Sequence, residues 1–141
     1  QKDLVRTFAS VAKNLSMDHV LIVHGFDGLD EITITDSTYV AELKDNTISE
    51  YEISPKDFGL SHGTLPEISA ASPDDSLELI REAFSGDKSA VQDMIALNAG
   101  AALYLAKKVD SISSGVELSF ELMNNGMAAD KLASYVRVSN S

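Results

Sequence analysis

Two adjacent carboxylates, Asp30 and Glu31, closely follow an apolar run at residues 20–23 in the stretch HVLIVHGFDGLDEITITDS. Gly25 and Gly28 lie between the run and the carboxylates, and glycine permits the backbone turns that a tight loop requires. Ligands of open α/β sheets bind at the carboxyl ends of strands, so this loop is a candidate ligand site. Carboxylate oxygens suit Mg²⁺, which takes one or two protein carboxylates and completes its shell with water and substrate phosphate. The residue types therefore indicate a metal site, and an acidic turn that only solvates a loop is the open alternative.

Other kinds of catalytic site find little support in the sequence. The chain has no cysteine and no G-x-S-x-G elbow, and its histidines, His19, His24 and His62, show neither a serine partner nor metal-ligand spacing. His24 follows the apolar run, where it could touch a ligand or hydrogen-bond the loop backbone. Leu29 stands where an EF-hand would need a second oxygen ligand after Asp27, so a calcium loop is excluded. Without a glycine-rich phosphate motif, and with three scattered arginines, phosphate must be bound through a metal or by residues elsewhere.

The charge balance restricts the possible partners. The chain has 11 basic and 22 acidic residues, a formal net charge of −11, which disfavours nucleic acid and anionic membrane surfaces. The absence of cysteine fits a reducing compartment, and no apolar run approaches the roughly 18 residues of a membrane span. We therefore expect a cytoplasmic protein that binds neither nucleic acid nor membrane.

Helix and strand patterns follow one another as in an α/β domain. An amphipathic helix opens the chain, and residues 20–23 have the continuous apolar character of a strand covered on both faces. Ile32 and Ile34 alternate with threonines as in a strand, and Lys44-Asp45-Asn46 predicts a hairpin turn. Helices are predicted from the N-cap Ser72, from about Ser89, from near Ser111 to Asn125-Gly126, and over AADKLASYVRV. Residues 1–141 are thus expected to form a single unit.

The helix that begins near Ser89 has two unusual features. Its small residues, Ala99 to Ala102, would allow close packing against another helix. Asn98 lies inside it, where an asparagine most simply bonds a neighbouring backbone group or packs between helices.

Four stretches resemble the anthranilate phosphoribosyltransferase family, in the same order as in that family. They are VHGFDGLDEIT, SPKDFGL, LNAGAALYLA and GVELSFELM, and together they cover essentially the whole chain. The resemblance implies that the chain is the carboxyl-terminal part of a phosphoribosyltransferase-type α/β domain, with a central sheet flanked by helices. It also implies that Asp30 and Glu31 bind the Mg²⁺ ions associated with phosphoribosyl pyrophosphate. Both carboxylates should then lie on the loop after the strand and be open to a cleft.

Parts of the family pattern are missing from this chain. Family members carry an amino-terminal helical domain, a G-T-G-G-D phosphate loop and a K-H-G-N-R segment, none of which occurs here. The first helix should therefore expose apolar surface that the missing portion would cover. By the same resemblance, the complete enzyme should be a homodimer, usually through the missing helices, and the chain alone should be inactive.

The implied reaction is transfer of phosphoribosyl to anthranilate in tryptophan biosynthesis, with Mg²⁺ as cofactor and phosphoribosyl pyrophosphate as donor. No catalytic residue, and no general base for the amine, is identifiable in this segment. One alternative is a non-catalytic phosphoribosyltransferase-like domain that binds a partner protein or nucleic acid. Another is a stand-alone structural domain. A binding role of the first kind would predict a basic face and loss of the carboxylate pair, whereas this chain is acidic and keeps both residues.

Overall fold

A computed structural model describes residues 2–140, so the outermost residues of the expected unit lie outside the described range. Strands β1 (His19–Gly25), β2 (Thr38–Lys44) and β3 (Thr47–Ile53) form an antiparallel sheet in the order β1-β2-β3. Asp45 and Asn46 join β2 to β3 with φ values of 48° and 62°, the left-handed backbone of a two-residue hairpin turn. The predicted hairpin is confirmed.

Helices account for most of the remaining described chain. They are α1 (Lys2–Asn14), α2 (Leu65–Ile68), α3 (Pro73–Ala83), α4 (Ala90–Leu105), α5 (Ile112–Asn124) and α6 (Met127–Ser139), and a 3-10 helix spans Pro55–Phe58. Ser72, Ser89 and Ser111 each accept a hydrogen bond from the backbone N–H three residues further on. These bonds satisfy otherwise free donors at the starts of α3, α4 and α5, and they confirm where the sequence predicted those helices to begin.

The sheet has helices on both faces, because alternate residues of a strand point to opposite sides. On one face, α1 packs Val5 and Ala9 against Ala41 of β2. On the other face, Leu21 and Val23 of β1 pack against a larger core that also draws on α4, α5 and the loop after β1. The buried members of that core are Ile32, Ile34, Leu60, Ala96, Leu97, Ala101, Val116 and Met123. The expected α/β fold, a central sheet flanked by helices, is confirmed.

Helices α4 and α5 pack with their backbones in contact. A Cβ atom at Gly115 would lie 2.3 Å from the Gly100 carbonyl oxygen, and one at Gly100 would lie 2.6 Å from the Val116 nitrogen. The close packing predicted from the small residues of α4 is therefore confirmed, and it needs glycine at both positions.

One expectation for the strands was wrong. Ile32, Thr33 and Ile34 are all buried but form no strand, because their backbone groups bond instead to Asn98, Thr38 and Gly63. The run at residues 20–23 of β1 is covered on both faces, as expected, because Ile22 packs on the α1 side of the sheet and Leu21 and Val23 pack on the other side. Its residues stay partly exposed, since β1 pairs only with β2 within residues 2–140. None of the helices described is both long and apolar enough to cross a membrane.

Candidate functional site

The loop between β1 and β2 begins with a tight turn at its two glycines. The Gly28 N–H donates to the Gly25 carbonyl over 2.9 Å, and the Gly25 N–H donates to the Leu29 carbonyl over 2.9 Å. Gly28 has a φ of 99°, a conformation that other residues rarely adopt. A Cβ atom at Gly25 would lie 2.5 Å from the Asp27 Oδ1. The loop therefore requires glycine at one position for conformation and at the other for space.

Asp27 holds this loop together through its carboxylate. Its Oδ1 accepts the Leu29 N–H at 3.0 Å, and its Oδ2 accepts the hydroxyls of Thr33, at 2.5 Å, and Thr35. Burial by itself would raise the pKa of Asp27, but the hydrogen bonds from Thr33, Thr35 and the backbone outweigh it and lower that pKa. Both oxygens are thus committed to the protein, so the acidic residue nearest the glycines is a structural part of the loop.

Asp30 and Glu31 differ from Asp27 in having free oxygens. Both side chains are exposed, and neither makes a hydrogen bond or an ion pair with any residue in the range 2–140. Both line a cavity of about 420 Å³ with a largely apolar wall, made by Leu29, Leu65, Ile68, Ser69, Ser76, Ile80, Val91, Met94 and Ile95. The predicted placement, on the loop after the strand and open to a cleft, is confirmed.

The donor set at this loop fits a metal ion that is shared with a substrate. No three His, Cys, Asp or Glu side chains of the described chain come together to hold a metal. A cage built from protein alone is therefore absent from residues 2–140. Mg²⁺ commonly uses one or two carboxylates and takes its other ligands from water and phosphate. Asp30 and Glu31 match that requirement, and their role as metal ligands stays a prediction.

The far end of the loop is bound to helix α4 by Asn98. The Asn98 Oδ1 accepts the Ile32 N–H at 3.0 Å, and its Nδ2 donates to the Ile32 carbonyl at 2.9 Å and to the Met94 carbonyl at 3.0 Å. Asn98 therefore bonds a neighbouring backbone, as its position in the sequence suggested. The bonded backbone is that of Ile32, the residue directly after Glu31. The sequence could not predict this partner, since Asn98 and Ile32 are 66 residues apart.

The histidines do not add to this loop. His19 begins β1, at the opposite end from the loop, and its Nε2 lies 2.8 Å from the Glu42 Oε1. Glu42 also accepts the hydroxyls of Tyr104 at 2.8 Å and Tyr51 at 2.9 Å. Burial alone would raise the pKa of Glu42, but these hydrogen bonds lower it. The His24 ring, the candidate nearest the loop, makes no hydrogen bond to the loop backbone within the residues described.

Comparison with known proteins places this arrangement in a family. Residues 1–129 match the model of the family described as "Glycosyl transferase family, a/b domain". The chain belongs to this glycosyl transferase family. The similar relatives within it are anthranilate phosphoribosyltransferases, so the resemblance noted in the sequence is confirmed.

Two relatives show how much of a complete anthranilate phosphoribosyltransferase this chain corresponds to. The anthranilate phosphoribosyltransferase of Vesicomyosocius okutanii is 44% identical over 138 residues, covering 98% of this chain and 41% of the relative. That of Halorhodospira halophila is 45% identical over 135 residues, covering 96% of this chain and 40% of the relative. The chain thus spans about two fifths of the length of these curated relatives.

Solved structures of anthranilate phosphoribosyltransferases have the same fold as this chain. The Thermus thermophilus anthranilate phosphoribosyltransferase superposes with a TM-score of 0.89 at 28% identity, covering all of this chain and 41% of that one. The match falls on the carboxyl-terminal part of that enzyme. The Saccharomyces cerevisiae enzyme in complex with phosphoribosyl pyrophosphate (PRPP) and Mg has a TM-score of 0.85 at 23% identity, which supports the fold alone.

Proposed function

We propose that this chain is the carboxyl-terminal part of an anthranilate phosphoribosyltransferase and carries the magnesium-binding carboxylates of that enzyme. The observation that carries the proposal is the pair Asp30 and Glu31, which are adjacent, exposed and without a protein partner in the described chain. Their loop is held at one side by Asp27 and at the other by Asn98. Similarity to enzymes named for this reaction supports the assignment.

In the proposed reaction, the amine nitrogen of anthranilate attacks C1 of the ribosyl ring of PRPP, and pyrophosphate leaves. Negative charge grows on the leaving pyrophosphate, so groups that stabilise it more in the transition state than in the ground state accelerate the reaction. Mg²⁺, when bound with the substrate, supplies that positive charge. Asp30 and Glu31 would hold the ion from the protein side. A chain with a net charge of −11 has few cations of its own to offer a pyrophosphate, which favours this use of a metal.

The 141-residue chain represents one part of the catalytic site. Positioning of reactants can contribute about 7 to 11 kcal/mol when it is complete, and here the two carboxylates are the part of the site that we identify. The glycine-rich phosphate loop and most anthranilate-binding residues would belong to an amino-terminal portion, which would also contain the helical domain. We therefore propose that residues 1–141 fold as a single unit, that they are inactive alone, and that the complete enzyme is a cytoplasmic homodimer of tryptophan biosynthesis.

Helix α1 independently supports the proposal that a further part of the enzyme packs against this domain. Its inner face is buried against the sheet through Val5, Ala9 and Ala12. Its other face leaves large apolar side chains more than two fifths exposed, namely Leu4, Phe8 and Val11, and Leu15, directly after the helix, is also exposed. A contiguous apolar stripe of this kind on a folded domain usually marks a contact surface. The exposed face expected from the sequence is thus present.

The test of the proposed function is anthranilate consumption, followed by anthranilate fluorescence in the presence of PRPP and Mg²⁺. We expect no turnover from the 141-residue chain and Mg²⁺-dependent turnover once it is joined to the amino-terminal portion of a relative. Turnover by the chain alone at the rate of a complete enzyme would contradict the proposal. A completed protein that folds, consumes no anthranilate and binds a partner protein or nucleic acid would support the non-catalytic alternative instead.

A further inference from the structure

Asn98 of α4 bonds, through its side-chain amide, the loop between β1 and β2 that carries Asp30 and Glu31 (residues 26–37), called the carboxylate loop below. Its amide bonds both the N–H and the carbonyl of Ile32, at 3.0 and 2.9 Å. This two-bond pattern is the one that a neighbouring strand would provide. Because both bonds go to one residue, they fix the direction of the backbone as well as its position. That residue directly follows Glu31.

Helix α4, which carries Asn98, is itself packed closely against α5. Gly100, two residues beyond Asn98, lies against the backbone of Gly115, so α4 cannot approach α5 more closely. A third hydrogen bond, from Asn98 Nδ2 to the Met94 carbonyl, holds the amide in one orientation on the helix. Within residues 2–140, Ile32 has no other hydrogen bond for its backbone groups. The position of the loop end therefore depends on Asn98.

We infer that Asn98 is a positioning residue that sets where Asp30 and Glu31 present their oxygens. The inference rests on the proposed function, because it assigns the carboxylates to Mg²⁺. Asp27 fixes the loop on the amino-terminal side of the pair through the Leu29 N–H, and Asn98 fixes it on the carboxyl-terminal side through Ile32. Asp30 and Glu31 are the two residues that lie between these anchored points. A shift at either anchor moves both carboxylates.

The decisive variant is Asn98→Asp in the completed enzyme. It keeps the shape of the side chain and the acceptor for the Ile32 N–H, but it replaces the donor with an oxygen that faces the Ile32 and Met94 carbonyls. When a group that orients a metal ligand is changed, metal affinity or activity typically falls by about 10- to 100-fold. We expect the Mg²⁺ concentration for half-maximal activity to rise by about tenfold or more, with most of the turnover rate recovered at saturating Mg²⁺.

Gln92 in the same helix provides a matched control. It is a buried amide that donates to the Ala83 carbonyl at 3.0 Å and to Asn124 Oδ1 at 3.1 Å, and within residues 2–140 it makes no hydrogen bond to the carboxylate loop. Gln92→Glu is the same chemical change as Asn98→Asp and should destabilise the protein. It should leave the Mg²⁺ requirement within about twofold of the wild type, because the hydrogen bonds of Gln92 go to Ala83 and Asn124 and orient neither Asp30 nor Glu31.

A second measurement is independent of activity. Backbone hydrogen exchange of the peptide covering residues 26–33 should become faster in Asn98→Asp, because repulsion between the new oxygen and the Ile32 carbonyl weakens the contact that holds the Ile32 N–H. Exchange of the same peptide should stay unchanged in Gln92→Glu. Asn98→Ala, which favours the helix, replaces Asn98→Asp if the new, partly buried carboxylate prevents folding, and the same two results are expected of it.

The outcomes separate the inference from the function on which it rests. An unchanged Mg²⁺ requirement in the Asn98 variants, or an equal change in Gln92→Glu, would overturn the positioning role. Unchanged backbone hydrogen exchange of residues 26–33 in the Asn98 variants would also overturn that role. If Asp30→Asn combined with Glu31→Gln also leaves the Mg²⁺ requirement unchanged, the metal assignment itself is wrong. If that double variant responds and the Asn98 variants do not, the positioning inference alone fails.

Discussion

The contact between α4 and α5 predicts that Gly115→Ala destabilises the domain, although alanine is a better helix former than glycine. The added Cβ atom would lie 2.3 Å from the Gly100 carbonyl oxygen and 2.8 Å from the Gly100 Cα and carbonyl carbon. All three neighbours are backbone atoms of another helix, so no side chain can rotate away. The clash can be relieved only if α5 moves away from α4.

The size of the effect follows from that movement. Restoring an ordinary contact requires a separation of about 1 Å, and a gap of this size forfeits a quarter to a half of the dispersion energy of the facing atoms. Overpacked cores typically lose about 1 to 3 kcal/mol, and a backbone clash belongs at the upper end of that range. Replacing glycine within a helix returns about 1 kcal/mol. We expect a net loss of about 2 kcal/mol in the free energy of unfolding, or about 8 °C in the melting temperature.

The assay is urea and thermal unfolding followed by circular dichroism. Ser113→Ala is the control, because Ser113 lies two residues earlier in α5 and is exposed. An exposed substitution of this kind should change stability by less than about 0.5 kcal/mol. If Gly115→Ala is as stable as the wild type while Ser113→Ala is also neutral, the backbone contact between the two helices is not as close as described.

Three further predictions concern the loop, the sheet and α1. Asp27→Ala should lower the free energy of unfolding by about 1 to 3 kcal/mol, because it removes the carboxylate that accepts the Thr33 and Thr35 hydroxyls and the Leu29 N–H; an unchanged urea midpoint would contradict this. The pKa of Glu42 is lowered on folding, so its contribution to stability is complete above its ordinary pKa and is lost as the pH falls through the folded-state value. Between neutral pH and about pH 3, the free energy of unfolding should therefore fall more for the wild type than for Glu42→Gln. Parallel profiles of unfolding free energy against pH would refute this prediction. The 141-residue chain should self-associate through the exposed face of α1, and Phe8→Ser with Leu15→Ser should reduce its sedimentation coefficient toward that of a monomer; a monomeric wild type would exclude such contact.

Local chemistry was enough to predict much of the fold. Ser72 followed by Pro73 marks a helix start, because the serine side chain satisfies a free N–H and proline needs none. Asp45 and Asn46 tolerate the left-handed backbone of the hairpin turn. These features act over a few residues, so a sequence pattern can report them.

The parts that sequence could not predict depend on distant contacts. Thr33 and Thr35 alternate with isoleucines as in a strand, yet both hydroxyls turn back to Asp27 and the backbone bonds elsewhere. The bond between Asn98 and Ile32 joins residues 66 positions apart, and no local pattern reports it. Asp30 and Glu31 are proposed as metal ligands from residue type and family resemblance together. Residue type alone left a solvated turn as an equal alternative.

The central claim is that Asp30 and Glu31 hold the Mg²⁺ used with PRPP. The most direct measurement is an Mg²⁺ titration of anthranilate consumption in the completed enzyme, comparing the wild type with Asp30→Asn/Glu31→Gln. Asp74→Asn/Asp75→Asn serves as the control, since it neutralises another adjacent and exposed acidic pair, in the first turn of α3. We predict that the first double variant loses activity at limiting Mg²⁺ while unfolding within about 0.5 kcal/mol of the wild type, and that the control titrates like the wild type. Wild-type activity of Asp30→Asn/Glu31→Gln at limiting Mg²⁺ would contradict the claim.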